Sequence, residues 1–429
     1  VSRLIDAVWL LVLCAYVLAG TAAAPFHADE ATQIAMSRDT FTQFVDGDIA
    51  QVMYQQDPAR PDLQELRLIN GSINKYMIGL SALLAGFSAG DINEQWDWGA
   101  DWDYNVSTGH APSSELLLAS RWPSALLTAG SVVVLYFLAR RLGGRGVAYL
   151  ATVYYALNPA ILLNGRRAMM EGSLLFFGLL VVLLALVYLR RRSWRWAVAL
   201  GVAAGLAIAA KHTNIFVVAP VLGVCLLTPL VTWLTRRAEA GPTLRPVAQM
   251  LGAGVIAVIV FIALNPVWWG ANPLEQASLI LQKRSELLAG QAGAYGGYTD
   301  SLDMLAGFGR QALVGLPQYY EDTRFANWIA EQIALYEASP WRGVSIGGSV
   351  PGVVALLVLA LLGGWSLLRE KALALSERWL VALWALGALV TTLFLTPLEW
   401  QRYYLPVLPV VGLLAGYGLV WLGRLFRQV

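Results

Sequence analysis

The 429 residues are 57% hydrophobic and only 14% charged, with a mean hydropathy of +0.57, which excludes a soluble globular domain and specifies a polytopic membrane protein. A net charge of +2 gives no reason to expect a nucleic-acid partner. No GxGxxG follows a strand pattern and no GxxxxGK[ST] occurs, so dinucleotide and ATP-driven chemistry are excluded.

Ten membrane spans are predicted in a single all-α domain covering 1–429, at 6–24, 122–138, 146–164, 171–189, 196–210, 213–234, 248–269, 350–368, 379–396 and 404–422. Each lies near the roughly 20 apolar residues that a bilayer core requires. The first run reads as a span and not as a cleaved leader, because no small-residue cleavage pattern precedes a soluble domain. The 196–210 run is short, but arginines at 190, 191, 192 and 195 precede it, and Arg236 and Arg237 follow the next run. If both clusters face the cytoplasm, the chain between them must cross an even number of times, in a hairpin that turns near Lys211. Cys14 and Cys225 fall inside apolar runs and read as membrane-buried residues.

With this topology one side holds sixteen basic residues and only four acids, Asp6, Glu239, Glu370 and Glu377. The basic side faces the cytoplasm. Both termini are therefore expected there, in a multi-pass cell (inner) membrane, with two long acidic loops, 25–117 and 270–349, on the outer face. In the first loop Asp29 and Glu30 come just after the first span. Tyr76 to Ala89 is apolar but only 14 residues long, which suits a helix lying in the interface. Trp96, Trp98, Trp102 and Tyr104 read as an interfacial aromatic belt in preference to a sugar-stacking surface. Asn70-Gly-Ser and Asn105-Val-Ser match the N-glycosylation pattern. In the second loop, Gly290 to Asp300 reads as a mobile segment near the site or as a plain linker.

Ionisable groups at membrane depth are costly and mark function. On the outer side they are Asp29, Glu30, Lys75, Arg121, Arg166, Arg167, Glu171, Lys211, His212, Glu399 and Arg402. Guanidinium forks and ammonium groups facing a carboxylate pair suit a lipid phosphate. Neutralising that phosphate lets it leave, while one carboxylate takes the proton of an attacking hydroxyl. The lipid bilayer itself is the remaining partner. Asp29, Glu30 and His27 offer a thin shell for a hard divalent ion, so neither metal nor other cofactor is expected.

The segments "FHADEA", "NGSINKYMIGL", "SRWPSALLTAGSVVVLYFLARRLGG", "ALNPAILLNGRRAMMEG", "GLAIAAKHTNIFVVAP" and "WQRYYLPVLPVVGLLAG" occur in that order. Together they resemble GT-C glycosyltransferases of the protein O-mannosyltransferase and aminoarabinose-transferase type, over roughly 1–270 and again over 379–422. The resemblance implies a GT-C-like fold with interfacial helices in the first outer loop. It also implies Asp29 as catalytic base, Glu30 as the acid that organises the site, and Lys75, Arg166, Arg167, Lys211 and Arg402 facing the donor phosphate. Glu171, His212, Glu399 and Arg121 are expected to support them. Ser72-Ile73-Asn74 departs from the Pro-Pro-Leu stretch of many members, and 270–349 matches no family pattern. The expected function is inverting transfer of a sugar from a polyprenyl-phosphate donor to a hydroxyl of a protein, glycan or lipid. The alternative is a transporter or flippase of lipid-linked saccharides.

Overall fold

The computed structural model describes residues 2–235, 244–394 and 397–426. Arg236, Arg237, Glu239 and Arg427 of the charge count lie outside them. The regular secondary structure of the described residues is all helical, with no strand.

The first span is α1 (Ser2–Ala19). The first long loop carries α2 (Ala28–Met36), α3 (Pro61–Ile69) and α4 (Ser72–Leu84). Then comes α5, a continuous run from Ser114 to Leu157. At about 1.5 Å per residue those 44 residues would extend roughly twice the thickness of a bilayer core. Gly144 breaks the run with φ +83°, a conformation in which only glycine is unstrained, and turns it into two spans. The second of these is interrupted again at Asn158, which caps α6 (Pro159–Arg166), so the expected 146–164 span is a bent one.

Next come α7 (Glu171–Arg191), α8 (Trp194–Ala210), α9 (Ile215–Thr235) and α10 (Leu244–Ala263). The second long loop opens with α11 (Pro273–Tyr295), and α12 (Val350–Arg369), α13 (Leu375–Phe394) and α14 (Leu408–Leu425) close the fold. Among the described residues eight helices are long and apolar enough to cross a membrane. The 17-residue α8 and the division of α5 bring the described passages to the ten expected.

Small residues allow close helix contact where no hydrophobic effect separates lipid from protein. A Cβ on Gly363 of α12 would lie 1.8 Å from the Leu414 carbonyl, and one on Gly418 of α14 would lie 2.1 Å from that of Leu359. These two helices therefore touch backbone to backbone.

Ion pairs sort the loops to the two ends of the bundle. At one end Asp6 pairs with Arg140 (2.9 Å) and Arg145 (3.2 Å), Arg190 with Glu377, and Arg424 with Glu370 (3.9 Å). The N-terminal end of α1, the Gly144 turn, the end of α7 and the α12–α13 connection thus gather on one side, and the candidate site lies on the other.

Both long loops are more structured than expected. The helix foreseen at Tyr76 to Ala89 starts at Ser72 and stops at Leu84, because Gly86 takes φ +91°. Two of the four aromatic residues expected in a belt turn inward instead, Trp96 being buried against Phe26 and Trp102, and Trp102 packing with Trp328, whereas Trp98 and Tyr104 are exposed. The segment foreseen as mobile or a linker is partly the end of α11, and the Tyr298 N–H donates to the Pro397 carbonyl at 3.0 Å.

Candidate active site

The extended backbone of His27 starts α2 with a capping box. His27 Nδ1 accepts from the Asp29 N–H (3.1 Å) and the Glu30 carboxylate accepts from the His27 N–H (3.1 Å). Asp29 and Glu30 occupy the first turn, where the helix dipole favours negative charge, but the turn points them differently. Glu30 is fully buried and grips Arg121 through two 2.8 Å hydrogen bonds. It also accepts from the Ala168 N–H at 2.8 Å, while Arg121 donates to the Ala24 carbonyl at 2.7 Å. Burial pushes the Glu30 carboxyl up, but Arg121, Arg167 and the Ala168 N–H together hold it below its ordinary value. Glu30 ties α2 to α5 and to the segment after α6.

Asp29 instead lines a cavity of about 810 Å³ between the two long loops and the spans. Glu171, Lys211, His212, Arg284, Glu321 and Arg402 contribute further ionisable groups to its wall, and Leu174, Phe216, Leu281 and Leu288 give it apolar surface. Arg402 is paired with Asp29 and lies 3.7 Å from Glu321. Its guanidinium sits over Trp400 (4.6 Å) and Tyr403 (5.6 Å), and Lys211 approaches the same Tyr403 ring at 5.7 Å. Two cations therefore flank one aromatic side chain at the cavity wall, with Lys211 also bonded to Glu171 at 2.8 Å.

The structure corrects the placement of several expected groups. Lys75 is buried against Asp39 at 2.5 Å, and Arg67 grips the same carboxylate at 2.6 Å. Arg166 donates to the carbonyls of Tyr16 (2.7 Å), Val17 (2.7 Å) and Trp341 (2.5 Å) and to the Tyr336 hydroxyl (2.9 Å). Arg167 donates to the carbonyls of Pro25 (3.1 Å) and Tyr319 (2.8 Å). None of the three lines the cavity, because each is held inward by protein acceptors. Arg121 is likewise committed to Glu30, and Glu399 pairs with Arg310 (2.6 Å) away from the cavity. Of the expected site residues, the structure brings together at the cavity the expected base Asp29, the expected phosphate-facing Lys211 and Arg402, and the expected supporting Glu171 and His212.

Glu321, from the second loop, is the main addition. Since His27 Nδ1 accepts from the Asp29 N–H, its proton resides on Nε2, which donates to Glu321 at 3.0 Å. Burial holds the His27 imidazole well below its ordinary value, helped by Arg167 and Arg402, and pushes the Glu321 carboxyl up to about 7. His27 stacks on Tyr320 (4.3 Å), whose hydroxyl accepts from the Ala28 N–H at 2.7 Å. The second loop is thus clamped to the start of α2. The sequence carries one signal of this, an adjacent acid pair, Glu321-Asp322, that repeats the Asp29-Glu30 pattern. A second signal is Arg284, Leu288, Gln291 and Tyr295, spaced to share one face of α11, all of which line the cavity.

Residues 72–269 match the family described as dolichyl-phosphate-mannose-protein mannosyltransferase. The whole chain superposes on 63% of ArnT from Cupriavidus metallidurans bound to undecaprenyl phosphate, at 16% identity and a TM-score of 0.51. The chain has the GT-C fold. The Archaeoglobus fulgidus oligosaccharyltransferase in its apo form matches 98% of this chain over 51% of its own length, at 11% identity and a TM-score of 0.54. The same protein in complex with Zn and sulfate matches at 12% identity, over 98% of this chain and 50% of that one, with a TM-score of 0.54. The chain thus spans less than two thirds of each of these proteins. No curated protein matches its sequence.

Proposed function

We propose that this chain is an inverting glycosyltransferase that moves a sugar from a polyprenyl-phosphate donor to an acceptor hydroxyl on the extracytoplasmic side of the membrane. The observation that carries this reading is the Asp29–Arg402 pair at the wall of the cavity. A phosphate entering beside Arg402 and Lys211 meets a guanidinium fork and a point charge. It competes with Asp29 for Arg402 and leaves the Asp29 carboxylate free to act as a base. The acceptor oxygen then attacks the anomeric carbon as the carbon–oxygen bond to phosphate breaks. Its proton passes to Asp29, and polyprenyl phosphate departs as an anion neutralised by Arg402. One displacement inverts the anomeric centre. The scheme uses no metal, because Arg402 supplies the charge.

The clustering of basic loops at the opposite end supports the extracytoplasmic placement by the positive-inside tendency. Acidic and basic residues of the described spans lie near helix ends, as Arg121, Glu171 and Arg190 do, which suits a reaction site at one face better than a translocation path. The test is release of polyprenyl phosphate from a panel of polyprenyl-phosphate sugars by the purified chain. Asp29→Asn is expected to abolish release while the protein stays folded. Undiminished release by that variant would remove Asp29 from the base role, and vesicle transport of intact donor without release would favour the flippase alternative.

A further inference from the structure

A second, smaller cleft of about 360 Å³ opens in the first long loop. Asp62, Gln95 and Trp98 line both this cleft and the cavity that holds Asp29, so the two share a wall. The cleft is also tied to α2. Asn93 donates to the Ala31 carbonyl at 3.0 Å, while Arg38 donates to the Ile92 carbonyl at 2.7 Å and pairs with Glu94 at 2.9 Å. Its lining points to a ligand. Trp96 is only 2% exposed, and its indole N–H has no partner among the described residues. Buried donors are nearly always paired, so this one calls for an acceptor that the chain does not supply. Trp98 on the shared wall is 38% exposed and held edge-to-face by Phe325 at 5.6 Å, which keeps an apolar surface in place. We infer that this cleft holds the acceptor, and that the acceptor is a saccharide. The inference rests on the glycosyltransferase reading and adds the class of acceptor to it.

The remaining groups of the lining are mostly acceptors. Asp62, Glu94 and Asp97 accept hydrogen bonds and donate none when ionised. His110 Nδ1 meets the Gln95 carbonyl and so carries the ring's proton, which leaves Nε2 as a further acceptor. A sugar matches this set. Its C–H face lies flat on an indole, its hydroxyls donate to carboxylates and imidazole, and one of its oxygens accepts from the Trp96 N–H. A phosphate or uronate does not match, because the three carboxylates outnumber Arg60 and Arg38, the guanidinium groups paired with Asp62 and Glu94. A peptide backbone brings one acceptor for every donor, whereas this lining asks for several donors close together. The cleft thus favours a saccharide over the protein acceptor named in the description of the matched family. With one ring on Trp98, a hydroxyl of the next extends past the shared wall towards Asp29. That oxygen bonds to the anomeric carbon as the bond to the phosphate oxygen breaks, and its proton passes to Asp29.

The test is titration calorimetry on the full chain, in a detergent without a sugar headgroup. The probes are methyl glycosides of neutral manno-, gluco- and galacto-trisaccharides, a peptide containing Ser and Thr, and bare polyprenyl phosphate. Release of polyprenyl phosphate from a panel of polyprenyl-phosphate sugars is then followed with each trisaccharide or the peptide present. At least one trisaccharide is expected to bind, to speed release by about ten-fold or more over water alone, and to be recovered one sugar longer. Trp98→Ala and Trp96→Phe are each expected to weaken that trisaccharide by about ten-fold, and at least about five-fold more than they weaken polyprenyl phosphate. Trp96 is buried and its variant could misfold, whereas Trp98 is exposed and keeps the test decisive. The saccharide cleft is overturned if no trisaccharide binds, if Trp98→Ala binds it as the wild type does or loses both ligands equally, or if only the peptide speeds release. Selective trisaccharide binding with no release from any donor, with or without acceptor, overturns the glycosyltransferase reading instead.

Discussion

The guanidinium of Arg402 is paired with Asp29 and stands 3.7 Å from Glu321, so one cation serves two carboxylates from different loops. The pairing restrains Asp29 until something else takes the arginine. A donor phosphate can do so because a planar fork binds carboxylate and phosphate in the same way, whereas an ammonium offers a single point charge. Arg402→Lys is therefore expected to bind donor but to lower the release rate by about 10²-fold or more, the scale for losing a donor aimed at developing charge. Steady-state kinetics check this, and an unchanged kcat with a raised KM would assign Arg402 to binding alone.

The Glu30–Arg121 pair has a structural consequence. Both groups are buried, and removing one leaves the other charged and unpaired in a dry setting. Glu30→Gln is expected to lose roughly 3–5 kcal/mol of stability. The double variant Glu30→Gln, Arg121→Met should recover part of that loss, because it removes the stranded charge. Thermal unfolding in detergent measures both, and equal losses in the single and double variants would show that the pair acts through packing alone.

The fold was largely legible because span length and arginine-rich short loops leave few alternatives, and Arg190 to Arg195 located the α7–α8 turn correctly. The site was legible in part. The Asp29-Glu30 pair and Lys211 stand at span ends, where charge is conspicuous. Sequence alone cannot tell an arginine facing a cavity from one turned into backbone carbonyls, and so Arg166, Arg167 and Lys75 all looked like phosphate ligands. Glu321 carries only the weak mark of an adjacent acid, Asp322, in a loop with many acids and no span to anchor it. Its importance arises only when Tyr320 and His27 bring it against α2.

Arg166 shows the difference in practice. It fastens the Tyr336–Trp341 end of the second loop to the carbonyls at the end of α1. Arg166→Ala removes the guanidinium donor from the Tyr16 and Val17 carbonyls and leaves the Trp341 carbonyl only the Tyr336 hydroxyl at 3.3 Å, and each buried acceptor left unpaired costs about 1–3 kcal/mol. The expected result is a lower melting temperature and faster proteolysis within 330–343, with affinity for bare polyprenyl phosphate unchanged. A selective loss of lipid-phosphate affinity in a protein of normal stability would return Arg166 to the phosphate site.

Glu321 makes stability depend on pH in a defined window. Its carboxyl titrates near 4.5 when unfolded and, through burial, at about 7 in the fold. Between those values the folded chain holds a proton that the unfolded chain has lost. Stability from this group is therefore full below pH 4.5, declines as pH rises towards 7, and changes no further above that. Glu321→Gln, which cannot ionise but can still accept from His27, should flatten that slope. Activity should follow the same group. Ionised Glu321 competes with the donor phosphate for Arg402, so the wild-type KM for donor is expected to rise as pH passes 7, while the Gln variant shows no such rise. Identical pH profiles for the two proteins, in both melting temperature and KM, would place Glu321 outside the reaction and leave its role to the clamp formed with His27.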